Sequence, residues 1–421
     1  MCSGRRSANS TCSGTESTRR GHGAGVTIVA RRILVQKFGG TSVSTPERRS
    51  QVADHVRRAR ADGYHVVIVV SAMGRRGDPY ATDTLLDLLR ADGGPVDPRD
   101  YTLMFVTGEI IATAMMSHTL KRAGIPSVGL SGVQARVYTD GHPTEGEILD
   151  IDVSRLEQHL ERGEVPVVTG GQGASRPGLD YSTLGRGASD TSGVALGVAL
   201  GAARAEIFTD VEGVAITDPR TVPQARLLQR ISYASMHEMA RFGAKVVHPR
   251  AVMTGWKGHT PVVVRSTFSF APGTHIGEVA DEYPIAGLTL LTPMETVTIE
   301  AAAVPPPLRE EWERRRVIMS TTDDETGRLL VGISADRRNA LDAALAEAGV
   351  AAPHRLGVQA WLSSIGDVQA LTERATRDLD CVRGAGATLA GRSSARGRST
   401  FVIDADHAPE AVRALYHDIF D

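Results

Sequence analysis

From residue 33 onward the chain alternates short apolar runs with polar stretches of helical period. Ile33-Leu34-Val35 leads into a glycine pair and a polar helical stretch, and Val66-Val67-Ile68-Val69-Val70 follows. Continuous apolar runs of this length predict strands buried on both faces, here separated by a helix. The alternation recurs as a helix over 107–123, a strand over 165–169, a small-residue helix over 190–203 and strands over 205–209 and 261–264. Such alternation predicts a mainly parallel central sheet with helices on both faces, a three-layer α/β fold. Near Ser266 the texture changes to Phe268-Ser269-Phe270-Ala271-Pro272-Gly273 and then to an acidic turn at Asp281-Glu282, which marks a boundary. Beyond it the units shorten. Strands over 296–300, 329–333, 358–362 and 400–403 alternate with helices over 309–315, 337–348, 368–379 and 408–420, close to two α+β (βαββαβ) modules in tandem or interleaved. Residues 1–31 are Ser, Gly, Thr and Arg with almost no apolar periodicity and read as a disordered tail. The expected organisation is that tail, an α/β domain over 32–275 and the paired modules over 282–421.

Composition narrows the function classes. The 421 residues are 41% hydrophobic and 23% charged, enough for several packed domains. The formal net charge of −2 leaves no global basic field to draw in nucleic acid or a membrane surface, so neither is an expected partner. No apolar run approaches the roughly 18–20 residues of a membrane span. Cys2, Cys12 and Cys381 have no disulfide-framework spacing, which points to a reducing, cytoplasmic compartment. Only four residues are lysine, namely Lys37, Lys121, Lys245 and Lys257, against 47 basic residues in all. A lysine kept inside a motif is therefore informative.

Lys37 opens the first such motif, Lys37-Phe38-Gly39-Gly40-Thr41-Ser42, where a strand should end and a helix begin. Paired glycines let backbone amides approach a phosphate, and the lysine adds a point charge; alone, the same residues make an ordinary turn. A second glycine-rich loop, Gly185-Arg186-Gly187-Ala188-Ser189-Asp190, feeds a small-residue helix. Arg186 can fork onto a carboxylate there, while Ser189 or Asp190 can equally be a helix cap. Thr209-Asp210 and Thr217-Asp218-Pro219-Arg220 lie in a loop after a strand, and Lys245 precedes His248 near a helix end. His248 reads as a packed or capping residue, since no second ligand stands at metal spacing, and no structural metal is expected.

Taken together these motifs resemble aspartate kinase. KFGGTS at 37–42, VVSAMG at 69–74 with ATD at 81–83, TGE at 107–109, TLGRGxSD at 183–190, TDVEG at 209–213, TDPR at 217–220 and GAKVVHPR at 243–250 stand in the family's order. The match covers roughly residues 32–275. The resemblance implies the amino-acid kinase fold, with ATP and its Mg2+ at the carboxyl ends of the sheet and L-aspartate alongside. It implies that Lys37 neutralises charge on the transferring phosphoryl group, that Gly39 and Gly40 cradle phosphates and that Asp190 orients the lysine. Glu109 would hold the substrate ammonium and Arg186, assisted by Ser189, its α-carboxylate, with Ser71 and Thr82 lining the pocket. Thr209, Asp210, Arg220 and Lys245 would bind the nucleotide. The C-terminal region is similar to the family's paired ACT modules, without their glycine-rich stretches, and implies a homodimerisation scaffold with lost or altered feedback.

The departures cluster near the amino-acid acceptor. Gly171 stands where the family has an aromatic residue, Tyr181 where it has threonine and Ala188 where it has the second glycine of GRGGSD. The first should leave either a void or room for a larger substrate. Besides aspartate kinase, two readings remain: a kinase for another amino-acid carboxylate, and a non-catalytic regulatory subunit. Retention of Lys37, Glu109, Arg186, Asp190 and Lys245 opposes the latter, because such a subunit has no physical need for charges converging on one pocket.

Overall fold

A computed structural model describes residues 32–421 apart from 177, 316, 323–327 and 352. The tail expected over residues 1–31 lies outside the described residues. In chain order the first part contains β1 (Ile33–Phe38), α1 (Pro46–Ala61), β2 (His65–Val70), α2 (Thr82–Ala91), α3 (Pro98–Arg122) and β3 (Ser127–Leu130). There follow β4 (Val137–Thr139), β5 (Ile148–Ile151), α4 (Ser154–Glu161), β6 (Val165–Thr169), β7 (Gln172–Ser175), β8 (Tyr181–Thr183) and α5 (Ser189–Ala199). The segment closes with β9 (Arg204–Thr209), β10 (Arg230–Ser232), α6 (Tyr233–Arg241), α7 (Pro249–Lys257), β11 (Val262–Ser266) and β12 (Thr274–Gly277).

Eight strands form the central sheet in the order β10-β12-β11-β9-β1-β2-β6-β3, parallel throughout except for β11 against β12. Strand parity builds the three layers. Leu34, Phe38, Val66, Ile68 and Val70 pack with Val52 and Val56 of α1 and Met116 and Leu120 of α3. Their neighbours Ile33, Val35, Val67 and Val69 pack on the opposite face with Leu156 and Leu160 of α4 and Leu196 of α5. The expected strands at 33–35, 66–70, 165–169, 205–209 and 261–264 all lie in this sheet. A smaller sheet, β5-β4-β7-β8, was not legible because its three- and four-residue strands carry too few apolar positions to show a period.

α3 is a 25-residue helix long and apolar enough by composition to cross a membrane, although charged and polar residues interrupt its apolar positions and leave no continuous apolar run. One face of it, including Phe105, Val106, Ala112, Met116 and Leu120, is buried against the protein. It is a core helix that also carries Glu109.

The remaining elements are β13 (Ile285–Ile299), α8 (Pro306–Arg314), β14 (Ile318–Thr321), β15 (Leu329–Ser334), α9 (Arg338–Glu347), β16 (His354–Gly366), α10 (Val368–Gly384), β17 (Leu389–Ala395), β18 (Arg398–Ile403) and α11 (Ala408–Phe420). Their strands form an antiparallel sheet, β14-β15-β13-β16-β18-β17. β13 has 15 residues and β16 has 13 where five each were expected, and Pro293 sits at a register break between Leu291 and Met294, where a missing amide is tolerated. The expected strand over 296–300 covers only the part of β13 after this break. The halves of β13 and β16 each serve a different βαββαβ unit, so the modules are interleaved: β13, α8, β14, β15, α9 and the start of β16 make one, and the end of β16 with α10, β17, β18, α11 and the start of β13 make the other.

One apolar core spans the boundary expected near Ser266. It joins Ile207, Val264 and Met236 to Ala286, Leu362, Phe401 and Tyr416. Fully buried Phe242 stacks on Trp361 at a ring separation of 6.4 Å, and the Arg398 guanidinium lies 3.8 Å from the Phe242 ring centre while donating to Glu238 Oε2 at 3.0 Å. Phe242→Ala is expected to cost about 3–5 kcal/mol of unfolding free energy in denaturant titration. A loss below about 1 kcal/mol would show that this contact does not hold the two sheets together.

Candidate active site

The site grows from the parity of β1. Ile33 and Val35 face the α5 layer, so Lys37 does too, and its Nζ meets Asp190 Oδ1 at 2.6 Å. Asp190 lies in the first turn of α5, where the helix dipole favours a carboxylate. Its Oδ2 accepts the backbone amide of His248 at 3.1 Å. His248 caps α7, its Nδ1 accepting from the Arg250 amide at 3.2 Å, and Arg250 donates to Leu184 O at 3.2 Å. The expected capping role of His248 thus has a consequence: residues 248–250 brace both Asp190 and the loop before it.

Lys37, Gly39, Gly40, Ser71, Thr82, Glu109, Arg186 and Ser189 line a single cavity of about 550 Å³, together with Arg75, Arg76, Asp83 and Phe105. Ser71 Oγ and Ser189 Oγ lie 2.8 Å apart. Gly39 and Gly40 follow β1, and the Gly74 amide donates to Gly40 O at 3.0 Å, tying the loop after β2 to the glycine pair. Glu109 projects from α3, is only 3% exposed, and accepts from Gln172 Nε2 at 3.0 Å. Burial pushes its carboxyl up to about 8, against the opposing pull of Gln172 and Lys37. Arg186 is paired with Asp83, which holds the Asp83 carboxyl below its usual range and raises the guanidinium.

Of the unusual positions, Ala188 lines the cavity and Tyr181 does not; Tyr181 pairs with Ala174 in the small sheet. Gly171 has φ of 70°, and a Cβ there would stand 3.0 Å from Glu109 Oε1. The departure from the family's aromatic therefore abuts the buried carboxylate.

The four residues assigned to the nucleotide do not line the cavity. Asp210 reaches it indirectly, 2.8 Å from Arg75 Nη2, with Thr209 Oγ1 donating to Asp210 Oδ1 at 3.2 Å. Arg220 and Lys245 both act on Asp218, whose carboxyl they hold low, Arg220 first. Sequence reasoning missed Arg75, Arg76 and Gln172 as part of the site; the arginine pair directly after VVSAMG was the available signal. Among the described residues no group of three or more His, Cys, Asp or Glu is placed to hold a metal ion.

Residues 32–266 match the amino acid kinase family. Aspartokinase 1 of Bacillus subtilis is 44% identical over 243 residues, 58% of this chain and 60% of that protein, so the chain matches less than two thirds of that relative's length. An aspartate kinase structure from Synechocystis is 31% identical, with a TM-score of 0.52 over 92% of this chain and 69% of that one. E. coli aspartokinase III, solved in complex with aspartate and ADP, superposes with a TM-score of 0.75 at 20% identity, covering 93% of this chain and 100% of that one, which shows a shared fold. The chain belongs to the amino acid kinase family.

Proposed function

We propose that this chain is an aspartate kinase, transferring the γ-phosphoryl group of Mg-ATP to the side-chain carboxylate of L-aspartate. The carrying observation is that one cavity joins the Lys37–Asp190 pair and the glycine turn at one side to Glu109 and Arg186 at the other. The names of the relatives and the aspartate and ADP of the E. coli structure support the same reading. An aspartate carboxylate is already ionised near neutral pH and needs no general base. Its oxygen attacks the γ-phosphorus, the bond to the bridging oxygen breaks, and ADP leaves as the acyl phosphate forms. Catalysis then reduces to positioning and charge stabilisation. In this reading Lys37, oriented by Asp190, offsets the phosphoryl charge, and Gly39 and Gly40 hold phosphates. Glu109 meets the substrate ammonium, Arg186 with Ser189 meets the α-carboxylate, and Ser71 and Thr82 complete the wall. Thr209, Asp210, Arg220 and Lys245 act on the nucleotide. The interleaved sheet serves as the scaffold of a homodimer.

A different acceptor is favoured by Gly171, where an added Cβ would stand 3.0 Å from Glu109 Oε1. With Glu109 read as the partner of the substrate ammonium, the missing side chain leaves room at that end of the pocket for an acceptor larger than aspartate. Acyl phosphate trapped as the hydroxamate, with a panel of amino acids, separates the acceptors.

Lys37→Ala is expected to lower aspartyl hydroxamate formation by at least about a hundredfold while circular dichroism stays native; turnover near that of the parent would remove Lys37 from the site. Glu109, neutral in the free protein below about pH 8, must ionise to hold an ammonium group, so the KM for aspartate should fall as pH rises through 8 and lose this dependence in Glu109→Gln. The stability sign is opposite. The folded carboxyl keeps its proton from its ordinary 4.5 up to about 8 while the unfolded one releases it, so stability declines across that window. Glu109→Gln should therefore raise the melting temperature more at pH 8 than at pH 5.5. Because a Cβ at the positive φ of residue 171 presses on Glu109, Gly171→Phe is expected to raise the KM for aspartate, and a lower KM would mean that the pocket accommodates the ring.

A further inference from the structure

The loop between β2 and α2 carries two arginines with different surroundings. Arg76 faces α2, with Asp83 at 3.7 Å and Asp87 at 3.4 Å. Arg75 turns the other way, across the cavity mouth, to Asp210 just past the end of β9. Its main chain is fixed. The Arg75 amide donates to Asp78 Oδ2 at 2.8 Å, the Asp78 amide donates to Arg75 O at 2.8 Å, and the preceding Gly74 amide is bound to Gly40 O. Gly74 has φ of 85°, and a Cβ there would meet Asp78 Oδ2 at 2.3 Å, so the turn excludes any side chain at that position. Arg75 is thus anchored beside the glycine pair while its side chain remains 73% exposed and that of its partner Asp210 44% exposed.

We propose that Arg75 is a phosphate-binding residue of this site, its guanidinium exchanging Asp210 for the terminal phosphate oxygens of the nucleotide. The proposal rests on the kinase reading above and adds a second cation to Lys37. An ion pair this open to water contributes little. A polyphosphate seated on the glycine pair offers the planar fork more charge and two oxygens at once. Only the side chain has to swing, since the backbone already stands at the cradle. Asp210 then acts as the resting partner that keeps Arg75 out of the cavity's centre, which accounts for its place at the rim.

The test is calorimetric binding of ATP, ADP and adenosine to the full chain, compared with Arg75→Ala and Arg75→Lys. Arg75→Ala should weaken ATP about tenfold and leave adenosine unchanged, as expected for one lost charge-assisted contact. Arg75→Lys should recover part of the loss, and the KM for the amino-acid acceptor should stay at the parent value. Equal ATP affinity in parent and Arg75→Ala would overturn the proposal, as would an equal loss for adenosine, which would mark a structural role. A parent protein that binds ATP but forms no aspartyl hydroxamate would overturn the acceptor assignment while these ratios still decide Arg75. A parent that binds no nucleotide would overturn both.

Discussion

The constraint on which the site depends is the ion pair between Lys37 and Asp190, both side chains only 11% exposed. Two charges removed from water at this depth are stable together and costly apart. Their meeting needs β1 in register with β2 and β9, so that residue 37 faces α5, and it needs α5 to begin where its first-turn carboxylate reaches the strand end. His248 and Arg250 extend the constraint to α7, because the amide of one holds Asp190 and the side chain of the other holds the loop entering α5. A motif 58 residues downstream of Asp190 therefore braces the pair.

Glu109 shows the opposite balance. It is buried, accepts a hydrogen bond from Gln172, and keeps its proton well above the ordinary carboxylate range. A chain selected for stability alone would place an amide there. The retained acid is best understood as poised for a cationic group, in keeping with its proposed contact to an ammonium. Local rules give way at such positions and hold elsewhere.

The interleaved sheet is joined to the kinase fold by packing rather than by a linker. Phe242, Trp361 and Arg398 form one buried stack, and α6 carries the Glu238 that pairs with the arginine. Phe242 lies three residues before Lys245, so the stack stands at the start of the α6–α7 loop.

The sequence by itself determined the strand–helix alternation, the parallel sheet and the two glycine-rich turns that carry Lys37, Arg186 and Ser189, because these depend on periodicity and on turn chemistry that act over a few residues; Glu109 was reached only through the resemblance to aspartate kinase. It also reached the paired modules, though only the part of β13 after the register break. The tertiary structure alone decided that Asp210 faces Arg75, that the charge of Lys245 reaches Asp218, and that Gly171 stands beside Glu109. Arg75 with Asp210, Lys245 with Asp218 and Gly171 with Glu109 are each far apart in the chain, and which strand ends and loops lie side by side makes them neighbours. Local pattern carries no information about such neighbours until the sheet order is set.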